Sequence, residues 1–338
     1  MDALADAFGL TRALVSLETP TGSEGPATDL LDAALRRGGY RIVRQRVSPG
    51  RDNLLAFREP PALVFSTHLD CVPPYVPLSE DAEAIRGRGS CDAKGLAAGM
   101  VAAAERLGSG GERRIGLLFL VGEENGSDGA RAAGELEPRG RYLVNGEPTE
   151  NRLSIGQKGS LRVDLHASGR AAHSAYPEEG DSAIDRLLGA LEKIRRADWG
   201  QSEVLGPATV NIGTLSGGVA ANVIAPAAEA VVFVRVVTPV EEARRLLDSL
   251  LAGDRHLTYQ VIAQNDPVFC ETLPGFDCAP VAFGTDVPSL TAFGRPLLIG
   301  PGSITVAHSD HEKIEKAELL RAVEIYCAIG TELLRRSA

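Results

Sequence analysis

His68 and Asp70 close the apolar run Ala62–Thr67, and Asp92 stands just before an Ala-rich segment in the stretch GRGSCDAKG. Adjacent Glu123 and Glu124 end the apolar run Ile115–Val121, and Glu147 follows Tyr142–Val144. His308 comes shortly after Leu297–Ile299 and a Gly-Pro-Gly turn. Two carboxylates side by side at the end of an apolar strand are costly to ionise unless a cation neutralises them. Carboxylate and imidazole donors without thiolate suit zinc, manganese or cobalt better than copper(I) or an iron–sulfur cluster. Such ions acidify water, so the chemistry on offer is metal-assisted hydrolysis.

Taken singly, each residue has an ordinary explanation. A histidine at a strand end often serves only as a hydrogen-bonded structural group, and a Glu-Glu pair as a solvated turn. Asp92 before a helix reads as a cap, and Glu147 before Pro148 as a turn residue. Their joint placement at the ends of strands in one sheet favours a metal site.

The elements that must position these residues follow from the hydrophobic pattern. Residues 2–17 read as a helix, and Ser23 as the cap of a second that stops at Gly38-Gly39. Strands are expected near Tyr40–Val47, Asn53–Phe57, 62–67, Ile115–Val121 and Tyr142–Val144. Helices from Lys94 to Leu107 and from Asp128 through Leu136 separate the later ones. Short apolar runs without alternation describe strands buried on both faces, as in a parallel sheet. Ligands of such sheets bind at the carboxyl ends of the strands. Past Gly156 the pattern changes, because Leu161, Val163 and Leu165 alternate with Arg162, Asp164 and His166. Helices near 181–196 and 240–251 and strands near 208–215, 229–237 and 257–264 complete a β-α-β-β-α-β unit. A closing helix is expected from about Lys313 to Arg335. The fold class is therefore α/β: a doubly wound mixed or parallel sheet over 1–156 plus 266–338, with a ferredoxin-like domain inserted at 157–265.

Composition sets outer limits. A formal net charge of −10 argues against nucleic acid as a partner. Five cysteines without scaffold or metal-ligand spacing describe reduced thiols and a cytoplasmic protein. No apolar run approaches the roughly 20 residues of a membrane span, so no membrane partner is expected. Cys91 beside Asp92 has no histidine assigned to it as a base, and there is no Gly-x-Ser-x-Gly elbow.

At larger scale the chain resembles the co-catalytic zinc hydrolases that include aminoacylase, acetylornithine deacetylase, succinyl-diaminopimelate desuccinylase and carboxypeptidase G. The matching pieces are STHLDCVPP, GRGSCDAKG, VGEENGSDGA, NGEPT, GRAAHSAYP, GGVAANVIAP with Arg235, and GPGSITVAH. They span nearly the whole chain in the family's order. The resemblance implies two divalent ions, with zinc expected and cobalt or manganese as alternatives. Asp92 would bridge them, His68 and Glu147 would hold one, and Glu124 and His308 the other. His311, three residues beyond His308, is a rival ligand. Asp70 would fix the His68 tautomer, and a cis peptide would follow Asp92. Glu123 would be the general base.

The same resemblance makes the inserted domain a dimerisation and lid domain in a homodimer. His173 would come from it to stabilise the oxyanion across that dimer. Asn222 and Arg235 would bind the substrate carboxylate, aided by backbone N–H groups of the turn at Gly302 and Ser303. Val234 stands where family members often carry Asp. Glu rather than Asp at position 147 goes with deacylases and carboxypeptidases. The ending GPGSITVAH looks most like the acetylornithine deacetylase branch, which implies hydrolysis of an N-acetyl or N-succinyl amino acid. Desuccinylase and carboxypeptidase or dipeptidase activities are the alternatives. A metal-binding interaction protein without catalysis is the reading from another class, and the intact base and ligand set count against it.

Overall fold

The computed structural model describes residues 4–337. The chain divides into two compact units: Met1–Ile155, Cys270–Ala279 and Thr285–Ala338 form the first, Gly156–Phe269 and Pro280–Gly284 the second. Among the described residues no helix is long and apolar enough to cross a membrane.

The first unit is built on a six-stranded sheet. Its strands are β1 (Arg41–Ser48), β2 (Arg51–Phe57), β3 (Leu63–His68), β4 (Ile115–Leu120), β5 (Tyr142–Asn145) and a last strand, Arg295–Leu298. They lie in the order β1-β2-β4-β3-β5 with Arg295–Leu298 beyond β5. β3 runs parallel to β4 and β5, and β5 parallel to the last strand, while β1 and β2 are antiparallel. Every residue of β3 and β4 is buried, as expected of strands without alternation. Leu63, Phe65, Leu117 and Phe119 enter one core, and Val64, Leu118 and Leu120 a second on the opposite face. Helices α1 (Ala7–Val15), α2 (Gly25–Arg37), α3 (Lys94–Ser109) and the C-terminal helix Lys316–Arg336 feed the first core. α4 (Asp128–Ala133) feeds the second, so the sheet is doubly wound.

α3 is buried over most of its surface, which its Ala and Gly residues permit. A Cβ at Gly99 would stand 3.1 Å from Leu319 of the C-terminal helix. Other boundaries differ from the sequence pattern for local reasons. α1 begins at Ala7, where Asp6 accepts the N–H of Gly9, and residues 2 and 3 of the expected helix lie outside the described residues. Ser23 does not cap α2: its N–H donates to Pro20 in a turn, and the helix starts two residues later. Lys313–Glu315 pairs as a strand with Ala84–Arg86, which delays the C-terminal helix to Lys316.

The second unit has the order β6 (Gly159–Ser168), α5 (Ala183–Arg196), β7 (Thr209–Gly217), β8 (Ala227–Val236), α6 (Val240–Leu251) and β9 (Leu257–Asn265). Its strands lie as β7-β8-β6-β9, all antiparallel, the ferredoxin-like arrangement. Leu161, Val163, Leu165, Val232 and Val234 pack with Leu187, Leu191 and Leu247 of the two helices. Arg162, His166 and Glu229 stand exposed on the other face.

Candidate active site

Because β3, β4, β5 and Arg295–Leu298 are parallel, their carboxyl ends lie along one edge of the first unit's sheet. β3 delivers His68 there, and Leu69 stays tied to Leu120 at the end of β4. Asp92 precedes α3, but the N-cap is Ala93 and no side chain caps this helix. The Asp92 carboxylate instead faces two imidazoles. Oδ1 lies 3.0 Å from His68 Nε2 and Oδ2 3.4 Å from His308 Nε2. His308 Nε2 is also 3.0 Å from Glu124 Oε1. Ligand atoms of His68, Asp92 and Glu124 all fall within 4.8 Å of one another. The Asp92–Ala93 peptide is cis. His311 turns away to Asp310 and is 72% exposed, so geometry brings only His308 to the cluster.

Asp70 is the hub of this edge. Its carboxylate accepts the backbone N–H of Glu123 at 3.0 Å and of Glu124 at 3.1 Å, and the Thr21 hydroxyl at 2.6 Å. His68 Nδ1 donates chiefly to the Asp70 backbone carbonyl at 3.0 Å, with the carboxylate 3.4 Å away. That bond fixes the ring so that Nε2 faces Asp92. Burial works against the Asp70 charge, but the bonds from His68, Thr21 and Glu124 prevail and lower its pKa. Gly122, at φ +80°, makes the tight turn before Glu123; a Cβ there would lie 1.9 Å from Asp128. Asp128 in turn forms a two-bond pair with Arg51, which also holds the buried Glu24.

The site carries more acid than it can bear ionised. Burial, then Asp286, Glu124 and Asp92, raise the pKa of Glu123 against the opposing charge of His68. Glu147 is 3% exposed, its Oε1 has no hydrogen-bond partner among the described residues, and burial followed by Glu123 raises its pKa. Hydrogen bonds to Asp92 and Glu124 push His308 up to about 10. Burial lowers the pKa of Asp92's imidazole partner His68, yet its bonds to Asp70 and Asp92 leave it raised overall. An orphaned carboxylate oxygen within the field of His68, and two imidazoles that share one carboxylate, form a donor set suited to divalent cations.

One buried acid of this region gives no sign in the sequence. Asp286 is 1% exposed, and neither carboxylate oxygen has a well-placed hydrogen-bond partner among the described residues. Burial raises its pKa to about 7, and its field reaches Glu123 and Glu147. It sits at the start of a single helical turn, Val287–Ser289, where no periodicity marks it.

The turn at Gly300–Ser303 is stitched to the segment after Glu147. Thr149 and Asn151 donate to Gly300, Glu150 donates to Gly302, and the Ser303 hydroxyl donates to Glu150. A Cβ at Gly302 would meet the Cys91 sulfur at 2.5 Å. Cys91 itself is buried, which raises its pKa, and its thiol donates to the Ser303 carbonyl.

In the second unit, His173 and Asn222 come together. Ser174 N–H donates to the Asn222 carbonyl at 3.0 Å, and His173 bridges Val223. His173 Nδ1 accepts the N–H of Ala175 at 3.1 Å, which leaves Nε2 as the protonated nitrogen of a neutral ring. Arg235 is elsewhere, its guanidinium 4.4 Å from the Phe233 ring centroid. It stands eight residues along β8 from Ala227, whereas Asn222 precedes that strand. At about 3.3 Å per residue, Ala227 and Arg235 are about 26 Å apart along β8. Asn222 thus stands before the start of β8 and Arg235 near its end.

Comparison with known proteins matches residues 155–252 to a family described as the peptidase dimerisation domain of M20 enzymes. A Schizosaccharomyces pombe protein described as containing a peptidase M20 domain is 38% identical over 94% of this chain and 82% of its own length. The chain belongs to the M20 peptidase family. A probable carboxypeptidase of Aspergillus fumigatus is 36% identical over 97% of this chain and 86% of that one. Among solved structures, a tripeptidase from Staphylococcus aureus superposes with a TM-score of 0.79 at 19% identity, covering 98% of this chain and 97% of that one. The M20 protein described above is thus a hydrolase of a metallopeptidase family, and its dimerisation-domain match falls on the second unit.

Proposed function

We propose that this M20 protein is a metal-dependent carboxypeptidase that cleaves the amide bond next to a free α-carboxylate. The observation that carries the hydrolytic part is the Asp92 carboxylate, with one oxygen toward His68 and the other toward His308. The choice of peptide substrate draws on the relatives named as probable carboxypeptidases, which match nearly the whole chain. His68, Asp92 and Glu147 would hold one divalent ion, and Asp92, Glu124 and His308 the other, with zinc, cobalt or manganese compatible with these donors. Such ions, when bound, acidify a water toward a pKa of about 7 and polarise the amide carbonyl.

The chain's own groups do the rest. Glu123, held by its backbone bond to Asp70, removes the proton and returns it to the leaving amine, help worth about 10²–10⁴-fold. His173 offers its Nε2–H to the oxyanion. Arg235 pairs its planar guanidinium with the substrate carboxylate, and N–H groups of Gly302 and Ser303 assist. Because His173 and Asn222 stand by the start of β8 and Arg235 near its end, we assign His173 and Asn222 to one copy and Arg235 to the other. A homodimer through the second unit supplies that arrangement.

A second reading keeps the chemistry and changes the acyl side. GPGSITVAH resembles the ending of acetylornithine deacetylases, so N-acetyl or N-succinyl amino acids are the next substrates to examine. A metal-replete screen of dipeptides, N-acyl amino acids and C-terminally amidated peptides, read by release of free amine, separates these readings. Peptides with a free carboxylate should be cleaved and their amides spared. Equal rates on amidated peptides overturn the proposal, and exclusive cleavage of N-acyl amino acids transfers it to the deacylase reading.

A further inference from the structure

We propose that Glu312 is a positioning residue for the metal centre, holding the Asp92 loop and the His308 segment in fixed register. The inference rests on the two-ion reading above. Glu312 is 1% exposed. Its Oε1 accepts three backbone N–H groups of the loop that carries Asp92: Gly89 at 2.9 Å, Cys91 at 3.2 Å and Asp92 at 3.1 Å. Its Oε2 accepts from Arg88 at 2.6 Å, and its backbone carbonyl accepts the N–H of Gly87 at 3.1 Å.

Three N–H groups converging on one oxygen make an anion-binding concavity, and here the anion is a side chain from a distant part of the chain. Gly87 and Gly89, at φ +137° and +85°, give the loop that curl. A Cβ at Gly89 would lie 2.6 Å from the Cys71 sulfur, so the curl is also packed from behind. Arg88 is anchored in turn, its Nε donating to the Pro74 carbonyl at 3.1 Å.

The location gives this bond set its meaning. Glu312 follows His308 by four residues, and its hydrogen bonds end on Asp92 itself. His308 sits at φ +62° in a loop, its side chain 49% exposed, and among the described residues its ring is held only at Nε2, by Asp92 and Glu124. One buried carboxylate therefore sets the distance between two residues proposed to hold the same ion. The Glu105–Arg58 pair offers a contrast in the same unit. Glu105 is also buried, accepts from Arg58 at 2.7 Å and from the Tyr40 hydroxyl at 2.7 Å, and bonds to no ligand-bearing loop.

The test uses the full chain as wild type, Glu312→Ala, Glu312→Asp and Glu105→Gln. Each is stripped with chelator and titrated with zinc against a chromophoric competitor, and the thermal stability of the stripped forms is measured in parallel. Wild type should bind two zinc ions. Glu312→Ala should weaken at least one of them by about 10–100-fold. Glu105→Gln should lose stability while keeping wild-type zinc affinity. Folded Glu312→Ala with unchanged affinity for both ions overturns the inference. Should the alanine variant not fold, Glu312→Asp decides: it keeps the charge but draws the acceptor back from the three N–H groups. At least tenfold weaker zinc binding supports the role, and wild-type affinity overturns it. A wild-type chain that binds no zinc removes the two-ion reading itself, a result distinct from either.

Discussion

The two units present their functional residues in opposite ways. In the first, the acids and imidazoles lie at the ends of buried parallel strands, and buried carboxylates such as Asp70 and Glu312 gather the backbone around them. In the second, His173 and Asn222 sit in loops at one end of the sheet while Arg235 lies far along β8. Under the proposed function, one chain assembles the chemistry and a second copy completes the recognition. Mutations in the first unit should act on kcat, and those in the second on KM or through the partner copy.

The largest expected effect is that of Glu123→Gln. Steady-state kinetics should show kcat lower by about 10²–10⁴-fold, with zinc content unchanged by elemental analysis. Normal turnover in this variant removes the assigned base and with it the first unit's side of the contrast.

His173→Ala should come next, lowering kcat by about 10²–10³-fold as for loss of one oxyanion donor. Mixing it with Glu123→Gln subunits sharpens the point. If the partner copy supplies His173, a mixed dimer regains one site with both groups intact, and activity returns above that of either parent. Mixed dimers as inactive as their parents contradict sharing.

Arg235→Lys should be milder, since one charge remains but the paired geometry goes. A rise in KM of about 10–100-fold with little change in kcat matches loss of a charged hydrogen bond worth about 1.5–3 kcal/mol. A fall in kcat alone would place Arg235 with the chemistry and blur the division between units.

The smallest effect concerns stability. Asp286 has a folded pKa raised to about 7 from an ordinary 3.8. Well below the ordinary 3.8, both folded and unfolded chains hold the proton. Raising the pH toward 7 ionises the unfolded chain first, so the metal-free fold loses stability across that window. In chelator at pH 7, Asp286→Asn should be more stable than wild type by on the order of 2 kcal/mol, and the two should converge only as the pH falls to about 3. Parallel melting curves at both pH values would count against a strained acid at this position.

Much of this contrast is legible in the sequence because hydrophobic pattern encodes it. Continuous apolar runs mark β3 and β4 as buried on both faces, and alternation at Leu161–Leu165 marks the one-sided sheet of the second unit. Residues that follow such runs, His68 and Glu123 among them, could be placed at strand ends from that alone. What the pattern hides is long-range bonding. Asp70 shows as a neighbour of His68, but its grip on the Glu123 and Glu124 N–H groups spans more than 50 residues of chain. Glu312 lies in a polar stretch, SDHEK, that reads as surface, yet it is buried by a loop more than 200 residues away. Asp286 begins a turn too short for any period. That Asn222 precedes β8 while Arg235 lies near its end became visible only with the strand in place.

The central claim is that two divalent ions share Asp92. Anomalous diffraction from crystals grown with zinc tests it most directly. Two peaks should appear about 3.5–4 Å apart, both bound by the Asp92 carboxylate, with His68 and Glu147 on one and Glu124 and His308 on the other. A single peak, or none within reach of Asp92, would contradict it.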